Sequence, residues 1–249
     1  MMKNLNKVKL GSWISVGHMS VVEVMCDSGF DWLCIDLEHT TIDYNEVMQL
    51  ITIIELKGLI PFVRVGANDP LIIKRVLDAG AKGIIVPFIN SKIEAKSAID
   101  SVKYPPLGKR GIGSIGRAQG YGFSFDKYFK NINQNTIVIA QIEHIDAINN
   151  LEDIIKIKEI DGTIIGPNDL LGSIKDSSNN KKILFEKALN RYELVSKKYK
   201  KPYGFHVVEP DHKQVLKKIK KGYTFLALSW DLHFLGTKCR DEIKILKNK

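Results

Sequence analysis

The chain has 249 residues, 44% hydrophobic and 26% charged, ordinary proportions for a globular protein with a sizeable core. No apolar run approaches the roughly 18–20 residues of a bilayer-spanning helix, and MMKNLNKVKL lacks the apolar stretch and cleavage site of a secretory leader, so a cytoplasmic protein is expected. The formal charge of +9 invites nucleic acid or a membrane surface as partner, but the lysines are dispersed and aromatic residues are not interleaved with the small clusters at Lys197–Lys201 and Lys217–Lys221, so neither is expected.

In chain order, short β-branched or apolar runs alternate with segments of helical period. The runs are Leu10–Val16, Trp32–Leu37, Pro61–Val65, Gly83–Phe88, Ile137–Ile142, Gly162–Ile165, Tyr203–Val207 and Thr224–Ser229. Between and after them, helices are expected near 20–28, 43–57, 70–79, 91–102, 144–157, 181–200, 210–219 and 231–246. The clearest helix start is Asn68-Asp69-Pro70, a polar cap before a first-turn proline, and Asp78-Ala79-Gly80 closes the same helix with a glycine suited to the left-handed cap. Continuous apolar strands belong to parallel sheets covered on both faces. Eight of them alternating with helices, with no linker composition anywhere, predict an α/β fold, a single (β/α)8 barrel spanning 1–249. The cysteines, Cys26, Cys34 and Cys239, are odd in number and widely spaced, so neither a disulfide framework nor a zinc cluster is indicated; two lie in apolar segments as small core residues.

A barrel of this kind places its chemistry at the C-terminal ends of the strands. Polar residues stand there. Strand 2 runs out through Asp36-Leu37-Glu38-His39, and strand 3 carries Arg64 between apolar neighbours, where a guanidinium needs an anionic partner from protein or substrate. Strand 5 ends in Gln141-Ile142-Glu143-His144, with Gln141 and Glu143 on one face by alternation. Strand 6 ends in the turn Gly166-Pro167-Asn168-Asp169. Glu143 and Asp169, from neighbouring strands, make a site for a hard divalent cation whose remaining shell is water or substrate oxygen.

The segment Tyr104–Arg117 contains a literal G-x-G-x-x-G at Gly111, Gly113 and Gly116. It follows two prolines rather than a strand and opens no clear helix, so a dinucleotide fingerprint is rejected. A long ordered loop shaping the barrel mouth is expected instead, with Arg110 or Arg117 on substrate anions or a neighbouring subunit. Schiff-base chemistry needs a lysine at the C-terminal part of a strand, and Lys9 and Lys82 sit at the wrong ends. A metal is therefore the expected electron sink.

These segments resemble the HpcH/HpaI aldolase family of 4-hydroxy-2-oxoheptanedioate and 2-keto-3-deoxy-sugar-acid aldolases. The likeness is carried by Phe30-Asp31-Trp32 leading to Asp36-Leu37-Glu38-His39, Phe62-Val63-Arg64-Val65, Val76 to Ala81, Val86-Pro87, the Tyr104–Gly113 loop, Gln141-Ile142-Glu143 and Asp161-Gly162 through Asp169-Leu170. It is strongest from about Leu10 to Leu170 and looser beyond.

The resemblance implies a metal-dependent class II aldolase of the pyruvate type, cleaving a 4-hydroxy-2-oxo acid to pyruvate and an aldehyde. It places Mg2+, Mn2+ or Co2+ on Glu143 and Asp169, completed by pyruvate's carboxylate and keto oxygens. Arg64 would stabilise the enolate oxygen. Gln141, Trp13 and the backbone of Gly166, Pro167 and Asn168 would hold substrate. His39, oriented by Asp78 and supported by Glu38, would be the acid/base. A homo-oligomer, hexamer or trimer, with C-terminal helices exchanged is also implied. The runner-up is a citrate-lyase β-subunit-like acyl-CoA lyase. Departures from the family pattern are Ser229-Trp230-Asp231 after strand 8 and His144 after Glu143, while His18 and His206 have no family equivalent.

Overall fold

The computed structural model describes residues 4–175 and 180–247; residues 1–3, 176–179 and 248–249, including both ends of the expected 1–249 domain, lie outside the described residues. The strands β1 (Lys9–Ile14), β2 (Trp32–Asp36), β3 (Ile60–Arg64), β4 (Gly83–Val86), β5 (Ile137–Ile142), β6 (Gly162–Ile165), β7 (Tyr203–Val207) and β8 (Phe225–Trp230) form a closed parallel barrel in sequence order, β8 pairing back onto β1. The expected (β/α)8 architecture is what forms.

The helices are α1 (Met19–Cys26), α2 (Tyr44–Leu56), α3 (Pro70–Ala79), α4 (Lys92–Val102), α5 (Phe125–Asn135), α6 (Ile145–Asn149), α7 (Leu151–Ile155), α8 (Pro167–Ser173), α9 (Lys181–Lys198), α10 (His212–Lys220) and α11 (Asp231–Lys247). Local chemistry fixes their ends. Asp43 and Glu46 form a reciprocal capping box on α2. Asp69 accepts from the N–H groups of Leu71 and Ile72 at the start of α3, and Gly80 ends that helix at φ 117°. His18 and His144 are caps as well, each accepting from the backbone N–H two residues on.

Outward-facing strand residues such as Leu33, Ile35, Val63, Ile84 and Val138 pack under the helices in one large cluster, while inward-facing residues fill the barrel. At the base of the interior, Trp32 stacks on Phe225 with ring centroids 4.4 Å apart and meets Phe62 edge-on at 5.5 Å. Three rings fit because facing positions are glycine: a Cβ on Gly11 would fall 2.0 Å from Trp32, and one on Gly83 would fall 2.2 Å from Phe62. Trp32→Ala would open a cavity at the centre of this layer and is expected to cost about 3–5 kcal/mol, read as a lowered midpoint of denaturant unfolding.

Two expectations about the periphery are corrected. The Tyr104–Arg117 segment does not shape the barrel mouth. It leaves the end of α4, and the path from that helix to β5, which also includes a 3-10 turn and α5, starts at the N-terminal face by construction. Arg110 pairs there with Asp78 at 2.5 Å, and Arg117 with Glu55 at 2.8 Å, so neither guanidinium is at the mouth. A 3-10 turn (Arg117–Gly122) and α5 follow the glycines, where no clear helix is expected from sequence.

Candidate active site

Continuing the inward alternation to the C-terminal rim brings polar side chains together. Trp13, His39, Arg64, Gln141, Gly166, Pro167, Asn168, Asp169 and His206 line a cavity of about 270 Å³ with Ile164, Ile165, Val208 and Trp230. The expected residues Trp13, His39, Arg64, Gln141 and the Gly166–Asp169 turn thus converge on one mouth.

Arg64 organises its acidic side. Its Nε and Nη2 donate to the two carboxylate oxygens of Asp36 at 2.9 and 2.7 Å, and its Nη1 stands 3.2 Å from Glu38. The guanidinium lies over the Trp13 ring, 4.4 Å from its centroid. The Asp36 bonds use two of its five N–H groups, and the Glu38 contact is an ion pair in which the carboxylate oxygen takes no hydrogen bond, so N–H groups on both terminal nitrogens are left for a ligand. The demand for an anion inferred from the sequence is met first by the protein.

Glu143 is held from two sides. The Phe88 backbone N–H donates to one carboxylate oxygen at 2.7 Å and Gln141 Nε2 to the other at 2.5 Å. Phe88 supplies that N–H from φ 52°, a left-handed conformation that an aromatic residue adopts at a cost. Gly166 lets the turn approach: a Cβ there would sit 3.0 Å from the Glu143 carboxylate. Asp169 lies in the first turn of α8, where backbone N–H groups lack intrahelical acceptors.

The mouth collects Asp36, Glu38, Glu143 and Asp169 around one arginine, and the balance of charge shows in the proton affinities of Glu38 and Glu143. Burial pushes Glu38 up to about 7 against the pull of Arg64, with Glu143, Asp36 and Asp169 adding repulsion. Burial also raises Glu143, although its hydrogen bonds from Gln141 and Phe88 favour the anion. A group raised in this way stabilises the fold below its unfolded value near 4.5, and that stability is lost as pH rises through about 7. In EDTA, Glu38→Gln is therefore expected to melt with wild-type protein at pH 4 and above it at pH 8. A constant offset across that range would contradict this.

His39 is at the rim, its ring 63% exposed and its Nε2 3.7 Å from Glu38. The expected Asp78–His39 pairing does not form within the chain. Helix α3 runs back along the barrel, so Asp78 in its last turn is roughly 15 Å of helix from the mouth. There it takes hydrogen bonds from Arg110 and Gln119. Among the described residues, no cluster of three or more His, Cys, Asp or Glu side chains forms a metal site. Sequence reasoning missed Phe88 and left His206 unassigned. Only His206 had a readable signal, as an imidazole in an apolar strand at a barrel mouth.

Comparison with known proteins places this geometry. The family model described as HpcH/HpaI aldolase/citrate lyase matches residues 9–236. The 2-dehydro-3,6-dideoxy-6-sulfogluconate aldolase of Pseudomonas putida is 32% identical over 96% of this chain and 93% of its own. The 5-keto-4-deoxy-D-glucarate aldolase of Escherichia coli is also 32% identical, over 91% of this chain and 87% of its own. Among solved structures, an HpcH/HpaI aldolase/citrate lyase family protein from Burkholderia cenocepacia J2315 superimposes with a TM-score of 0.91 at 28% identity, covering 99% of this chain and 97% of that one. The chain belongs to the HpcH/HpaI aldolase/citrate lyase family and is a carbon–carbon lyase.

Proposed function

We propose that this lyase is a divalent-metal-dependent aldolase that reversibly cleaves a 4-hydroxy-2-oxo acid to pyruvate and an aldehyde. The observation that carries the reading is the convergence of Arg64 and Asp169 on one cavity at the strand ends, with the buried Glu143 electrostatically coupled to both and hydrogen-bonded to Gln141 of the cavity wall. The family spans aldolases and citrate lyases, and the two relatives described above are aldolases named for deoxy oxo sugar acids. None of the described residues lining the cavity is a lysine, which removes the amine that a Schiff base requires.

The residues present suit a cation. Two carboxylates from adjacent strand ends, in a mouth where acid outnumbers base, fit a hard oxygen-seeking ion that keeps most of its shell from water or substrate. Glu143 and Asp169 would hold Mg2+ or Mn2+, with Co2+ as a further candidate. Bound there, the ion supplies Lewis-acid stabilisation of negative charge on the keto oxygen. The protein contributes the rest. The free N–H groups of Arg64 reach the same oxygen as an enolate develops. Gln141 fixes the carboxylate of Glu143 and borders the bound oxo acid. His39, with Glu38 beside it to share a proton, moves protons at the rim.

Apolar side chains left exposed on α11, among them Leu235, Ile245 and Leu246, support a homo-oligomer in which this helix docks on a neighbouring barrel. No helix among the described residues is long and apolar enough to cross a membrane.

The test is deuterium exchange at the methyl group of pyruvate, followed by NMR. Exchange is expected with Mg2+ or Mn2+ and should stop in EDTA. Exchange that continues in EDTA and is trapped by borohydride would establish a Schiff base in its place.

A further inference from the structure

The proposed pyruvate half of the reaction occupies the β3, β5 and β6 side of the cavity, through Arg64, Gln141 and Asp169, with Glu143 hydrogen-bonded to Gln141. The opposite wall comes from β1, β7 and β8 and presents Trp13, His206, Val208 and Trp230. On the pyruvate reading, this wall faces the aldehyde half. It is aromatic, yet two of its polar atoms are buried without a hydrogen-bond partner among the described residues: Trp13 Nε1, a donor, and His206 Nε2. Their rings are neighbours, with centroids 5.4 Å apart, and the His206 ring also meets Trp230 at 6.4 Å. Buried polar atoms are normally paired, so an adjacent orphan pair lining a substrate cavity points to a ligand group that satisfies both.

The state of the imidazole fixes what that group is. Burial and the nearby Arg64 hold His206 down at about 3, so the ring is neutral at ordinary pH. Its backbone hydrogen bond to Ser229 favours the protonated ring, as a carbonyl acceptor does, which commits the one N–H of the neutral imidazole. Nε2 is left with a lone pair. Ser229 is held at φ 49°, and its carbonyl also accepts from Ser12 Oγ at 3.1 Å, so the partner that orients the ring is itself fixed.

We propose that His206 is a specificity residue: its Nε2 accepts a hydrogen bond from a hydroxyl group on the aldehyde half, while Trp13 Nε1–H donates to the same oxygen. A hydroxyl both donates and accepts, matching the pair, whereas a carboxylate or sulfonate there has no proton for His206. The enzyme should therefore favour hydroxyaldehydes over their deoxy counterparts.

Glycolaldehyde and propanal test this, since a hydroxyl in one replaces a methyl of similar size in the other. With pyruvate and the Mn2+-loaded enzyme, the ratio of kcat/KM for glycolaldehyde to that for propanal is measured in wild type, His206→Leu and His206→Gln. Comparing ratios between proteins cancels the hydration of each aldehyde. The ratio should fall roughly tenfold or more in His206→Leu, from loss of a buried hydrogen bond. His206→Gln keeps an acceptor and should recover much of it. Propanal turnover shows that each variant is folded and loaded. An unchanged ratio in His206→Leu, or an equal fall in His206→Gln, overturns the proposal. Deuterium exchange into pyruvate by the wild type separates the two levels: if it is absent the pyruvate reading fails, and if it is present with an unaltered ratio only the role of His206 fails.

Discussion

Arg64→Ala is expected to lower metal-dependent exchange of pyruvate's methyl protons by about 10²–10³-fold, the usual cost of removing one donor from a developing oxyanion. It should also destabilise the fold, since the guanidinium pairs with both Asp36 and Glu38. Removing one partner of a buried ion pair leaves an uncompensated charge and typically costs about 3–5 kcal/mol. The side chains concerned are 13%, 8% and 7% exposed, so water screens them little. The pH dependence has a definite sign. Arg64 pulls the Glu38 carboxyl down, so its loss moves Glu38 further up, and the variant can discharge itself by taking up a proton. Its stability deficit should therefore be smaller at pH 5 than at pH 8, in denaturant melts of both proteins. Arg64→Lys would keep the charge but lose the fork on Asp36, and should fall between the two.

Glu143→Gln and Asp169→Asn are expected to weaken Mn2+ binding by more than about 100-fold, above the range seen when supporting groups around a metal are removed. Titration calorimetry with oxalate present checks this. Glu143→Gln carries a second expectation of opposite sign. Burial raises the native carboxyl, so the anion is disfavoured in the metal-free fold at neutral pH. A neutral amide of the same shape still accepts from the Phe88 N–H, and with the Gln141 amide turned so that its oxygen accepts from the new NH2, the metal-free variant should melt no lower than wild type at pH 8. Loss of metal binding with stability kept is the mark of a residue retained for chemistry. A variant that lost both together would make Glu143 a structural anchor of the β5 edge.

The barrel was legible because its strands are written as near-continuous Ile, Val and Leu runs, which only a sheet covered on both faces tolerates. Asp36, Arg64 and Gln141 could be placed at the mouth because period-two alternation carries inward positions straight to the rim, and Asp169 because it stands in the turn that leaves the end of β6. What escaped depends on backbone conformation or on direction in space. Nothing in the sequence around Phe88 shows that its N–H is turned onto Glu143 from a left-handed conformation. His18 and His144 drew attention as imidazoles near strand ends, but both are spent on helix caps. The misplacement of Tyr104–Arg117 was avoidable, because a segment between a helix and the next strand belongs to the N-terminal face. The same geometry separates Asp78 from His39. Helix α5 was overlooked although its helical period is strong, because Asn131, Asn133, Gln134 and Asn135 make the segment polar and Ile132 is its one buried residue.

The central claim is that Glu143 and Asp169 share a divalent cation beside Arg64. An anomalous-difference map from a crystal grown with Mn2+ and oxalate tests it most directly. The expected map has one strong peak between the two carboxylates, with oxalate oxygens in the ion's shell and Arg64 on the face of the ligand. Oxalate bound in the cavity with the two carboxylates turned apart and no peak between them would contradict it.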